Sequence, residues 1–253
     1  QNDFASIDTS NTSQGYVMVK YNGTNEKVKL QITCPDQSCY TYLISDRGAY
    51  DTFPLTAGNG SYALQVLENV AGDTYTVSLA QSINVSIEDE FLPFLYPNQY
   101  VNFHTDSKAV SKGSDLAKDT YSDLDVVQNI YNYVIKNISY DTEKAQNVSY
   151  GYVPDIDDTL SSKKGICFDY AALMTSMLRS QNIPTKLEVG YSGDAYHAWI
   201  STYIDDKGWV DDIIQFNGNT WQIMDPTLAA TNDSAAVKKY VGDGSHYVVK
   251  YTY

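Results

Sequence analysis

Three residues in the second half of the chain have the types and settings that acyl transfer through a thiol requires. Cys167 stands in Gly165-Ile166-Cys167-Phe168-Asp169-Tyr170, His197 in Tyr196-His197-Ala198-Trp199, and Asp225 in Asp225-Pro226-Thr227. In such chemistry the sulfur attacks a carbonyl carbon. An imidazole takes the thiol proton and later returns it to the leaving amine, while a carboxylate fixes the imidazole tautomer and stabilises its cation. Taken singly, each residue has a plainer reading as a buried thiol, a core histidine and a turn-opening Asp-Pro. Their joint order and local settings favour the catalytic one.

The elements that must hold these residues can be read from periodicity. Tyr170, Ala171, Met174, Met177 and Leu178 form a helical stripe that stops at Asn182-Ile183-Pro184, where proline restricts the residue before it. Cys167 then falls in the first helical turn, where unpaired backbone N–H groups and the positive end of the macrodipole favour a thiolate. Gly165 is expected to line the cleft and leave room for a substrate beside the sulfur. Thr185 to Tyr191 reads as a strand, Ser192-Gly193-Asp194 as a turn, and Tyr196 to Ser201 as a second strand. Alternation in that strand puts His197, Trp199 and Ser201 on one face. A third strand, Thr220 to Met224, ends at Asp225. Trp199 is expected to pack against the sheet or shield the His-Asp pair, with cleft lining as the other reading. The backbone N–H of Cys167 is the natural first oxyanion donor, and Tyr140 and Tyr152 are side-chain candidates for the second.

At these residues the sequence resembles the bacterial transglutaminase-like superfamily. The resemblance rests on Gly165 and Cys167 with Tyr170 and Ala171, on Ile183-Pro184 with Gly190-Tyr191, on His197-Ala198-Trp199 and on Asp225-Pro226-Thr227, and it covers about residues 110 to 232. It implies a papain-like α+β core, in which the nucleophile helix packs on an antiparallel sheet carrying the other two residues, and acyl transfer through a thioester. The superfamily includes cross-linkers, thiol peptidases, amidases and inert members. No residue decides between water and an amine as acceptor.

Upstream, the style differs. Tyr16 to Tyr21, Lys27 to Thr33, Cys39 to Ser45, Ser61 to Val70, Thr74 to Ala80 and Ile83 to Ile87 are short alternating runs separated by turn clusters, the pattern of an all-β sandwich of immunoglobulin-like size. Phe91 to Asn98 breaks the alternation with two prolines. Leu124, Val127, Tyr131, Val134 and Ile138 then recur at helical spacing,. The expected organisation is a flexible segment 1–14, a β-sandwich accessory domain 15–100 and a catalytic domain 101–253. Cys34 and Cys39 flank the turn-forming Pro35-Asp36-Gln37-Ser38, so the reading pairs them in a local disulfide across a hairpin,.

Composition narrows the partners. The chain has 253 residues, 43% hydrophobic and 19% charged, with a net charge of -14; that charge would repel phosphate backbones and anionic lipid, which argues against nucleic acid and membrane surfaces. No apolar run reaches the roughly eighteen residues of a transmembrane helix. The chain begins at Gln1 with no basic-then-apolar leader, which reads as a processed start. The 23 tyrosines, beside abundant Asn, Ser and Thr, suggest a secreted or cell-surface bacterial protein. Asp155, Asp157 and Asp158, Asp205-Asp206 and Asp211-Asp212 lack the spacing of a calcium loop and read as solvated turns, so no metal and no cofactor are expected. The leading expectation is an exported enzyme acting on an amide of a peptide, a protein or a peptidoglycan peptide. The other is an inert adhesion or scaffold protein that binds through its sandwich. The sequence leaves the oligomeric state open.

Overall fold

In the computed structural model the chain divides into two units, Gln1–Pro93 and Phe94–Tyr253. The structure describes residues 1–205, 207–211, 214–216, 221–223, 227, 230 and 246–253.

The first unit is built from strands β1 (Ala5–Asp8), β2 (Tyr16–Tyr21), β3 (Val28–Thr33), β4 (Cys39–Leu43), β5 (Tyr50–Pro54), β6 (Gly60–Ala71) and β7 (Thr74–Val85). They form two antiparallel sheets, ordered β1-β2-β5 and β4-β3-β6-β7. Alternation decides which side chains face inward: Val17, Val19 and Tyr21 of β2 and Val28, Leu30 and Ile32 of β3 are buried, while the residues between them stay partly exposed,. Between the sheets, Tyr42 of β4 meets Phe53 of β5 edge-on, with ring centroids 4.9 Å apart. Tyr21 of β2 donates its hydroxyl to Glu68 of β6 at 2.6 Å.

Several expectations are corrected here. Residues 1–14 are not a frayed tail: β1 pairs along β2 from Ala5↔Tyr21 to Asp8↔Met18, and Ala5 is fully buried. So short an edge strand, with one buried residue, leaves no periodicity to read. Thr74–Ala80 and Ile83–Ile87 are not separate strands, because β7 runs unbroken along β6 from Thr74 to Val85. Cys34 and Cys39 are both free thiols. The hairpin register sets Cys39 opposite Thr33, so Cys34, one position on, points to the other face. Cys34 is 3% exposed in the core, whereas Cys39 is exposed. Their side chains diverge, and a disulfide needs them to converge.

The second unit begins earlier than expected, because the segment after Pro93 packs into it: Phe94 meets Trp209 edge-on at 5.4 Å, and Val101 is fully buried. Helices α1 (Lys108–Ala117), α2 (Asp123–Asn137), α3 (Thr142–Asn147), α4 (Ile156–Ser162) and α5 (Cys167–Arg179) alternate with the short parallel pair β8 (Ser139–Tyr140) and β9 (Lys164–Gly165). The remaining strands are β10 (Thr185–Ser192), β11 (Ala195–Ile204), β12 (Gly208–Val210), β13 (Ile214–Phe216), β14 (Trp221–Ile223) and β15 (Tyr247–Thr252). Four of them make an antiparallel sheet ordered β12-β11-β10-β15; β13 and β14 pair separately. No described helix is long and apolar enough to cross a membrane.

Helix α5 is the centre of this unit. Its residues from Asp169 to Arg179 are all buried, and α1, α2, α4, β10 and β11 pack on it. It ends as its sequence suggests: Asn182 is left-handed at φ 65°, and the Ile183 N–H closes back on the Leu178 carbonyl at 3.1 Å,. In the acidic cluster before it Asp155 and Asp158 are exposed, and two of its carboxylates also serve helix starts. Asp155 accepts the N–H groups of Asp157 and Asp158 at the head of α4, while Asp157 accepts those of Lys108 and Ala109 at the head of α1,. At the far end of α5, the buried Arg179 guanidinium donates to the carbonyls of Thr185, Tyr96 and Tyr253 at 2.9, 2.7 and 2.7 Å.

Two outcomes follow from this packing. Ellman's reagent added to the unreduced, denatured protein should find all three cysteines as thiols, and a count of one would restore the disulfide. Arg179→Met should lower unfolding stability by about 3 kcal/mol, the cost of leaving buried carbonyls without donors; a urea titration unchanged from the parent would contradict this role.

Candidate active site

Cys167 is the first residue of α5 and is half-buried. Ile166 before it is extended, at φ -94° and ψ 176°, and its carbonyl accepts the Tyr170 N–H at 3.1 Å to open the helix. The approach is fixed by the β8–β9 ladder, in which Tyr140 stands opposite Gly165 and the Asp141 N–H donates to the Gly165 carbonyl at 2.9 Å. Tyr140 is thus held beside the strand that delivers the nucleophile. Gly165 does not line a cleft. It is buried, and a Cβ there would lie 2.7 Å from the Cβ of Asp169 and 3.3 Å from Thr159, so the space its missing side chain leaves is taken by the protein's own packing.

Asp169, two residues after the thiol, is fully buried. Its Oδ2 accepts the Ile166 N–H at 2.8 Å and the Lys144 ammonium at 2.7 Å; its Oδ1 accepts the Tyr152 hydroxyl in a short bond. Lys144 also donates to the Tyr152 oxygen at 2.6 Å. Burial and the Asp169 carboxylate push the Tyr152 hydroxyl well above its ordinary pKa. The expectation of Tyr152 as an oxyanion donor is corrected accordingly, because its hydrogen already serves Asp169. Lys144 and Asp169 are the residues that motif reading passed over. An acid at the third position of a helix, set to catch the N–H of the residue before the helix, was the available signal.

His197 lies on β11, 1% exposed and directly opposite Gly190 of β10. Glycine is obligatory at that point: a Cβ on residue 190 would stand 2.0 Å from the Val248 carbonyl oxygen. With no side chain over Gly190, rings gather around the histidine. Trp199 is 6.0 Å from His197 between centroids, and Tyr247 is 6.4 Å from His197 and 4.8 Å from Trp199. Trp199 is itself 1% exposed, so it packs beside the histidine and does not line an open cleft. Further along the same face, Glu188 sits opposite Trp199 and accepts the Ser201 hydroxyl at 2.7 Å. Burial pushes its carboxyl above the ordinary 4.5.

The structure brings the two elements together: α5, which starts with Cys167, packs against β11, which carries His197. On Tyr196, next to the histidine, burial raises the pKa first, and charges at Tyr251, Tyr191 and Cys167 add to it. Asp225 lies outside the described residues; β14 ends two positions before it.

Glu188 provides a pH test. Its neutral form is favoured by the fold, so that contribution is complete below pH 4.5 and is lost as pH rises through the raised value. Glu188→Gln, which keeps an acceptor for Ser201, should raise the melting temperature more at pH 7 than at pH 4.5. Equal shifts at both would show that the carboxyl is not held neutral by burial.

Residues 111–211 match the family model of the Transglutaminase-like superfamily. Among curated proteins, a UPF0252 protein of Methanocaldococcus jannaschii is 30% identical over 118 residues, covering 40% of this chain and 34% of that protein. The kyphoscoliosis peptidase of Mus musculus is 30% identical over 107 residues, covering 37% of this chain and 16% of its own length. The chain therefore spans only a minor part of either relative. Among solved structures, a candidate cysteine protease from Cytophaga hutchinsonii aligns with a TM-score of 0.42 at 15% identity, covering 90% of this chain and 68% of that one. The matched segment holds both Cys167 and His197, and it is in this segment that the chain is similar to the Transglutaminase-like superfamily.

Proposed function

We propose that this protein is an exported thiol acyl-transfer enzyme that cleaves an amide bond in a peptide, a protein or a cell-wall peptide, with Cys167 as nucleophile, His197 as base and Asp225 as the group that orients the histidine. The observation that carries this reading is the placement of Cys167 at the first residue of a helix packed against the strand of His197. A helix start supplies unpaired N–H groups and a positive dipole end to a thiolate and to an oxyanion formed beside it. The relative from Mus musculus is named a peptidase, which fits the same chemistry.

In the proposed reaction His197 takes the Cys167 proton as the sulfur bonds to the carbonyl carbon. The tetrahedral oxyanion lies toward the Cys167 backbone N–H, the C–N bond breaks, and the imidazolium proton goes to the departing amine. Water, deprotonated by the same imidazole, adds to the thioester carbon. The C–S bond then breaks and the thiolate recovers a proton. Hydrolysis is preferred over cross-linking because water is the default acceptor and no amine-binding group stands out. The N-terminal unit, with its two facing sheets, is assigned as an immunoglobulin-like accessory module.

The triad should show a graded response. Cys167→Ala should abolish turnover of a peptide or peptidoglycan library, His197→Ala should cost about a thousandfold, and Asp225→Ala about ten- to a hundredfold. A covalent acyl adduct on Cys167, seen by mass spectrometry, should vanish in the first of these. Full activity in Cys167→Ala, with melting unchanged, would refute the assignment.

A further inference from the structure

We infer that Lys144 is a positioning residue for the Cys167 thiol, acting through Asp169: its ammonium compensates a buried carboxylate that would otherwise stand unbalanced in the same helical turn as the sulfur. The inference rests on the reading of Cys167 as nucleophile and names a device that keeps its sulfur reactive.

Two observations lead there. First, Asp169 receives more than a helix start requires. One oxygen and the Ile166 N–H would satisfy a cap, yet the carboxylate is completely buried and takes two further donors, Lys144 and Tyr152. Second, α3 has no apolar reason to send Lys144 inward, since none of its residues is buried. Its tie to α5 is polar: the Lys144–Asp169 pair at 2.7 Å, with the lysine side chain 27% exposed and the aspartate 0%.

A carboxylate fixed in a low-dielectric turn disfavours a second negative charge nearby, and the thiolate is that second charge. The carboxylates nearest α5 on α4 and β10 have partners of their own. Asp155 and Asp157 cap helices, and Glu188 is bound by Ser201. Tyr196 and His197 of β11 flank the centre. Lys144 is the cation that meets Asp169, and the compensation falls to it.

The test is the second-order rate of alkylation of Cys167 by iodoacetamide at pH 7 in the full chain, read on the Cys167 peptide by mass spectrometry so that Cys34 and Cys39 do not contribute. Lys144→Met should slow it by about tenfold, and Lys144→Arg should keep it within about twofold. Adding Asp169→Asn to Lys144→Met removes the unbalanced charge and should recover most of the rate, although both hydrogen-bonding partners are altered. A merely structural tie predicts the reverse, with the double variant as slow as the single or slower. That result, or an unchanged rate in Lys144→Met, overturns the inference. If Lys144→Met does not fold by circular dichroism, Lys144→Gln reads the same loss of charge while keeping a donor. A parent protein whose Cys167 alkylates no faster than free cysteine would count against the proposed function, whereas the ratios between variants test Lys144 independently.

Discussion

From Asp169 to Arg179 helix α5 is buried, and a helix with no wet face over that span must satisfy its charged ends from within the protein. The chain does so with two charges. Asp169 near the start is met by a backbone N–H, an ammonium and a phenol, and Arg179 at the end is met by three carbonyls. A negative group at the N-terminus and a positive one at the C-terminus both agree with the helix dipole. Each is costly to bury and is retained only because its partners are complete. Those partners lie far apart in sequence, at Tyr96, Lys144, Tyr152, Thr185 and Tyr253, so the two ends of one helix gather distant segments of the second unit around it.

The histidine is held by a different principle. Asp169 is ordered by charge, whereas the surroundings described for His197 add a constraint of shape, from the bare backbone at Gly190 and the rings of Trp199 and Tyr247. A close-packed aromatic wall limits the imidazole's freedom and excludes water from it. The catalytic reading therefore joins a nucleophile beside a charged helix start to a base enclosed by rings, with Asp225 as its proposed orienter. Rigid secondary structure supplies both, which suits a reaction that depends on fixed approach.

The acidic character of the chain also has a local use. Asp155 and Asp157, Ser122 and Asp141 sit at helix starts and accept exposed N–H groups there. Part of what composition presents as surface charge is thus structural. The short helices of this unit have few apolar contacts of their own, and α3 has no buried residue, so capping carries more of their stability than it would in longer helices.

The elements that depend on local pattern were legible in the sequence. The alternation of β2 and β3, the helical stripes of α2 and α5, the turn at Gly193 and the stop at Asn182 come from side-chain periodicity and backbone restriction, which a chain carries with it. The placement of Cys167 at a helix start and of His197 on a strand was legible for the same reason. What only the tertiary structure decided is where a side chain points once strands are paired and helices packed. Register turned Cys34 away from Cys39, and neighbouring groups filled the space at Gly165. Tyr152 was committed to Asp169, Trp199 was enclosed, and Lys144 was drawn to a carboxylate 25 residues away. These outcomes depend on contacts between segments distant in sequence, and no local propensity encodes them.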